Sequence, residues 1–174
     1  MEKTMVTSNA GLDLIMRYEG CRLSAYKPIS TEKYWTIGYG HYGADVTQGM
    51  RITHTQAIIL LQKDIKRFER AVNNLDRTWT QNEFDALVSF AYNIGNIRQL
   101  TQKGTRPKSE IPVYMPQYCK AGGVVLKGLV NRRNDEVALF TKPVDSTPKN
   151  LKDNNAIALE VIQGKWGNGT ARKQ

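Results

Sequence analysis

The chain has 174 residues, 40% of them hydrophobic and 24% charged, which suits one globular domain with a core and a short appendage. No stretch approaches the roughly 20 consecutive apolar residues of a membrane span, and residues 1–8 hold no apolar signal core. A cytoplasmic protein without stable membrane association is therefore expected. The formal net charge is +9, and residues 142–174 carry six basic and three acidic groups. A basic surface suits a polyanion such as nucleic acid, acidic lipid or bacterial wall, and charge alone does not choose among them. Cys21 and Cys119 form neither a CxxC pair nor a metal-type cluster, so two free thiols, no metal and no cofactor are expected.

Residues 8–19 read as a helix. Ser8 or Asn9 caps it, Leu12, Ile15, Met16 and Glu19 follow helical spacing, and Gly20 stops it. Residues 22–50, rich in Tyr, Thr, Ile and Gly, read as a small antiparallel sheet with tight turns. Thr53 or Thr55 opens the longest helix, where Ile58, Leu61, Ile65, Phe68, Val72 and Leu75 form one apolar stripe. Thr80 and Glu83 make a capping box, and the helix it starts carries Phe84, Leu87, Val88, Ala91 and Ile94 on one side. Gly104, Pro107 and Pro112 break residues 96–112 into loop or short helices, and Leu129 to Phe140 reads as a last core helix. The polar, Pro-bearing stretch after Phe140 reads as a linker. A short amphipathic segment, residues 156–162, and a Gly-rich end follow. The boundaries are thus residues 1–141, a linker over 142–155 and a small unit over 156–174.

Glu19 is the most informative residue. A carboxyl at a helix end faces the negative pole of the helix dipole, which favours its protonated form. A protonated carboxyl over a cleft can act as a general acid on a glycosidic bond. Taken alone, Glu19 would be read as a solvated surface group. Its neighbours change that reading.

Four segments resemble the phage lysozymes of glycoside hydrolase family 24. Tyr18-Glu19-Gly20-Cys21-Arg22-Leu23-Ser24-Ala25-Tyr26-Lys27 is similar to the family's catalytic helix end. Tyr34-Trp35-Thr36-Ile37-Gly38-Tyr39-Gly40-His41 is similar to its signature strand. Residues 80–95 are similar to its central helix, and residues 121–136, with Arg132-Arg133-Asn134-Asp135-Glu136, to its C-terminal signature. The motifs occur together and in the family's order. The resemblance implies an α+β lysozyme-like fold, with a small β-containing lobe and a larger helical lobe bridged by the helix of residues 55–75. It implies a muramidase that cuts the N-acetylmuramic acid–N-acetylglucosamine β-1,4 bond of bacterial peptidoglycan for host cell lysis. Such an endolysin is held in the host cytoplasm until lysis and then reaches the wall. A monomer acting on peptidoglycan, without nucleic acid as partner, is expected.

The same resemblance assigns roles. Glu19 is the general acid and Thr36 holds the attacking water. The family's aspartate between them is missing: counted forward from Glu19 its place falls on Pro28, and counted back from Thr36 on Ser30. Glu32 is the only acid in the interval. Three readings stay open. Glu32 replaces the aspartate; or Thr36 and Ser30 position the water; or the chain is a lytic transglycosylase needing one acid. A non-catalytic wall binder on the same scaffold is the rival from another class. One of Arg132 and Arg133 is expected to hold Glu19, and the other reading of both is pairing with Asp135 or Glu136. Tyr39 joins Ser30, Arg132 and Arg133 as candidate substrate contacts. Tyr26, Tyr34 and Trp35 have ring faces suited to sugars, although sheet packing claims most of them. His41 reads as structural, paired with an acid.

The tail carries a second resemblance. Residues 158–174, with Gly164-Lys165-Trp166-Gly167-Asn168-Gly169, look like the first half of a cell-wall-binding repeat of phage endolysins. Half a repeat is not expected to close its own core. Weak order over residues 143–174 and little wall affinity from them are expected.

Overall fold

The computed structural model describes residues 4–144. The expected weak order and repeat beyond Val144 lie outside the described residues.

Helix α1 spans Asn9–Glu19. Ser8 stands at its N-cap position but makes no side-chain cap. Its hydroxyl donates instead to Asp85 Oδ2, and its N–H donates to Asp85 Oδ1 at 2.9 Å. The serine expected to cap α1 therefore anchors the N-terminal segment to a helix 77 positions away. At the other end Gly20 takes φ 66° and its N–H reaches Met16 O, a conformation that L side chains rarely adopt.

Strands β1 (Arg22–Tyr26), β2 (Trp35–Gly38) and β3 (His41–Gly43) form an antiparallel sheet in that order. Thr36 pairs with Tyr26 on one side and Tyr42 on the other, and a register shift in β1 separates the Arg22–Gly38 and Tyr26–Thr36 pairs. The chain then returns along β1, with Ala25 N–H on Met50 O and Ile52 N–H on Leu23 O, both at 2.9 Å.

Helix α2 (His54–Asn73) is capped by Thr53, whose hydroxyl accepts from Gln56 N–H while the Gln56 side chain accepts from Thr53 N–H. Ala57, Leu61, Ile65, Phe68 and Val72 are its buried stripe. The stripe reaches β2 and β3 at one end and α3 at the other, so α2 is the bridge between the lobes.

Helix α3 (Gln81–Ile94) has the expected Thr80–Glu83 capping box. It differs from the one-sided pattern read in the sequence, because all eight residues from Phe84 to Ala91 are buried. The cause is position: α1, α2 and α6 all pack on it. Ile94, expected on the core side, is 37% exposed. Two short helices, α4 (Arg98–Thr101) and α5 (Ile111–Tyr114), each run into a 3-10 turn. A two-stranded ribbon, β4 (Lys120–Ala121) and β5 (Val124–Val125), leads into α6 (Lys127–Thr141). After α6, Asn82 Nδ2 donates to Lys142 O at 2.9 Å, so the first linker residue rests against the start of α3.

Candidate active site

Glu19 is the last residue of α1 and its side chain is 22% exposed. Arg132 of α6 donates from Nη1 to Glu19 Oε1 at 2.6 Å. The same guanidinium donates from Nε to Glu136 Oε1 at 3.1 Å and from Nη2 to Ser89 O at 3.2 Å. With three donors aimed in three directions and 3% exposure, Arg132 is fixed before any ligand arrives. Glu19 Oε2 is left on the side of the Gly38–Gly40 turn. A Cβ built on Gly40, which has φ 94°, would stand 3.9 Å from that oxygen and 3.8 Å from the Tyr92 hydroxyl. Tyr92 donates to Tyr39 O at 2.9 Å and ties α3 to this turn. Burial raises the Tyr92 phenol, and the Glu19 charge raises it further.

Of the two candidate arginines it is Arg132 that meets Glu19. Arg133 is wholly buried, donates from Nη2 to Asn93 Oδ1 and Glu136 Oε1 at 3.0 Å each, and stands 2.8 Å from Glu136 Oε2 through Nε. Arg133, the other candidate substrate contact, is thus an interior group held by Glu136 and Asn93. Pairing with Glu136 applies to both arginines. Burial pushes the Glu136 carboxyl up, and Arg133, Arg132 and the Ser89 hydroxyl pull it back. Burial lowers Arg133, against the pull of Glu136.

Thr36 is buried at the centre of the small sheet, 6% exposed. Ser30 is exposed in the turn closed by Glu32 N–H on Ile29 O at 3.1 Å. Glu32 is half-buried, and Lys27 Nζ donates to its main-chain oxygen at 2.6 Å. Its Oε2 is buried without a hydrogen-bond partner among the described residues. A carboxylate oxygen in that condition is costly unless something else meets it.

Tyr39, a candidate substrate contact, is half-buried. It packs against the large-lobe core. Burial and the Cys21 thiol beside its hydroxyl push the phenol up to about 12. The other aromatics are engaged within the small lobe: Tyr26 lies under Arg22, Tyr34 meets Tyr42 edge-on, and Trp35 faces Lys27.

His41 links β3 to α2. Its Nδ1 is 2.8 Å from Asp64 Oδ2 and its Nε2 is 3.1 Å from Asp45 Oδ2, an arrangement that an imidazolium satisfies on both sides. Burial alone would lower the ring, but the hydrogen bonds to Asp64 and Asp45 outweigh it and the net direction is up. Among the described residues no group of three His, Cys, Asp or Glu side chains is arranged to hold a metal ion. Nor is any helix there long and apolar enough to cross a membrane. Two surface hollows of about 330 and 450 Å³ lie beside α2 and beside the start of α3, and Glu19 lines neither.

Tyr18, Ser89 and Tyr92 were given no contact from the sequence, and only Tyr18, which adjoins Glu19, had a signal. Asp135 was expected to pair with Arg132 or Arg133, and accepts from Tyr18 and Arg17 instead.

A family model described as phage lysozyme matches residues 16–136, a span that runs from α1 through the arginine pair. The chain belongs to the phage lysozyme family. A second model, the CW_7 repeat, matches residues 155–174. The endolysin of Bacillus phage PZA is 44% identical over 155 residues, covering 84% of this chain and 58% of that protein. The endolysin of Lactococcus phage c2 is 43% identical over 173 residues, covering 97% of this chain and 75% of that one. Among solved structures, the muramidase domain of SpmX from Asticaccaulis excentricus superposes with a TM-score of 0.71 at 35% identity, covering 79% of this chain and 99% of that one. The α+β lysozyme-like fold of this phage lysozyme family member follows from both the helices and sheets above and that superposition.

Proposed function

We propose that this chain is an endolysin that hydrolyses the N-acetylmuramic acid–N-acetylglucosamine bond of bacterial peptidoglycan. Glu19 is the general acid. The observation that carries the reading is the Glu19–Arg132 contact at the end of α1. Oε1 is occupied by a donor, so the proton to be transferred belongs on Oε2, beside the space that Gly40 leaves open. Glu32 is the second carboxyl, and its unpartnered Oε2 supports this: a water or a sugar hydroxyl would satisfy it. Thr36 and Ser30 orient the attacking water, and the basic surface helps the enzyme onto anionic wall polymers. The enzyme acts as a monomer, waits in the host cytoplasm and reaches the wall at lysis. The segment of residues 156–174 adds little wall affinity of its own, so deleting residues 150–174 leaves turnover on soluble glycan nearly intact.

The test is digestion of purified walls by wild type and Glu19→Gln, with analysis of the new ends. Hydrolysis by wild type yields reducing ends, and Glu19→Gln is expected to lose about a hundredfold or more in rate. Full activity of Glu19→Gln overturns the acid role. Anhydro-muramyl ends instead of reducing ends overturn hydrolysis in favour of transglycosylation.

A further inference from the structure

Two residues outside the pair already described brace it. Tyr18 precedes Glu19 on the last turn of α1, and Asp135 lies one helical turn beyond Arg132 on α6. Tyr18 donates its hydroxyl to Asp135 Oδ2 at 2.5 Å, the short distance of a phenol on a carboxylate. Arg17 Nη1 reaches the same oxygen at 3.2 Å, but that pair is exposed and contributes little. The Arg132 guanidinium carbon lies 5.7 Å from the centre of the Tyr18 ring, within cation–π range. Besides the exposed Arg17 pair, the two helices thus meet through side-by-side contacts: the acid of α1 on the guanidinium of α6, and the phenol of α1 on the acid of α6.

We propose that Tyr18 and Asp135 are positioning residues for the reaction: their hydrogen bond fixes the Tyr18 ring as a wall against Arg132 and so fixes where Arg132 holds Glu19. This rests on the reading of Glu19 as the acid. Nothing in the contact touches a sugar; its effect passes through Arg132. Burial and Asp135 push the Tyr18 phenol up to about 12, so it stays a donor throughout the working range. The other charged or titratable groups packed around this contact and Glu19 are Arg17, Glu136 and Tyr92.

The experiment measures kcat and KM of the full chain on soluble glycan for wild type, Tyr18→Phe, Asp135→Asn, the double variant and Glu19→Gln. Each single variant is expected to lose about three- to thirtyfold in kcat with KM unchanged, since small misplacements of a reacting group carry losses of that order. A fall in kcat without a change in KM separates misplacement of the acid from loss of fold or of binding. The double variant is expected to be no slower than the worse single one, because both act through one contact. Wild-type kcat in Tyr18→Phe, with Glu19→Gln inactive, overturns this inference and leaves the acid role standing. Full activity of Glu19→Gln removes the acid role itself. Tyr18→Phe keeps the ring and its packing, so it carries the test alone if Asp135→Asn does not fold.

Discussion

Arg132 Nη1 lies 2.6 Å from Glu19 Oε1, a contact between residues 113 positions apart that joins the end of the first helix to the last. The geometry requires a planar fork, since Nε and Nη2 of the same group are spent on Glu136 and Ser89. Lysine would keep the charge but could not fill all three directions. Arg132→Lys should therefore lose one or more charge-assisted hydrogen bonds, each worth about 1.5–3 kcal/mol. If the lost contact is felt in the transition state, wall digestion falls about ten- to a hundredfold. Steady-state rates on purified walls, with circular dichroism to confirm folding, check this; wild-type rates would show that the fork is dispensable.

Arg133 should matter for stability in a way that exposed arginines do not. It is buried against a buried Glu136, and removing one partner of such a pair leaves the other charge poorly compensated. Arg133→Met is expected to lower unfolding free energy by about 3 kcal/mol, and Arg17→Ala, which breaks an exposed pair, by under about 1 kcal/mol. Urea denaturation measures both. Equal losses would contradict the distinction.

The His41 cluster gives a pH signature. The ring is raised above 6.5, so its contribution to stability is complete below 6.5 and is lost as pH rises through its folded value. The hydrogen bond from His41 holds Asp45 below 3.8, so that share is present above 3.8 and is lost as pH falls through the folded value. Asp64 and Asp45 face the ring, and Lys63 lies near Asp45. The advantage of wild type over His41→Gln should peak between about pH 4 and 6.5 and shrink above that window. Thermal melts across pH measure it, and a gap that stays constant from acid to alkaline pH would sink the assignment.

Glu32→Gln tests the second carboxyl. Its Oε2 lacks a partner among the described residues while Lys27 holds its main chain, so the amide should fit the same site without its charge. A loss of about a hundredfold in turnover, the scale of a general base, is expected. Unchanged turnover would remove Glu32 from the reaction and leave the water to Thr36 and Ser30 alone.

Much of this fold is written in local pattern. The α2 stripe shows because a one-sided helix must repeat every 3.6 residues, and the Thr80–Glu83 capping box shows because its partners lie three positions apart. Gly20 marks the helix end that presents Glu19. What stayed hidden depends on tertiary partners. Ser8 looked like a cap because its true acceptor, Asp85, is distant in sequence. Asp85 itself is wholly buried, with the Gln81 side chain donating to it at 2.9 Å, and no periodicity announces such a group. Arg132 and Arg133 could not be told apart because Glu136 lies four residues from one and three from the other, within reach of both. Only the approach of α1 separates them.

Enclosure of α3 on every side has a kinetic consequence. Deuterium from solvent has no open face by which to reach the amides of Phe84–Ala91, so exchange there awaits opening of the whole large lobe. The slowest protons in this stretch would therefore serve as a built-in gauge of global unfolding, against which loosening near Glu19 can be told from loosening everywhere.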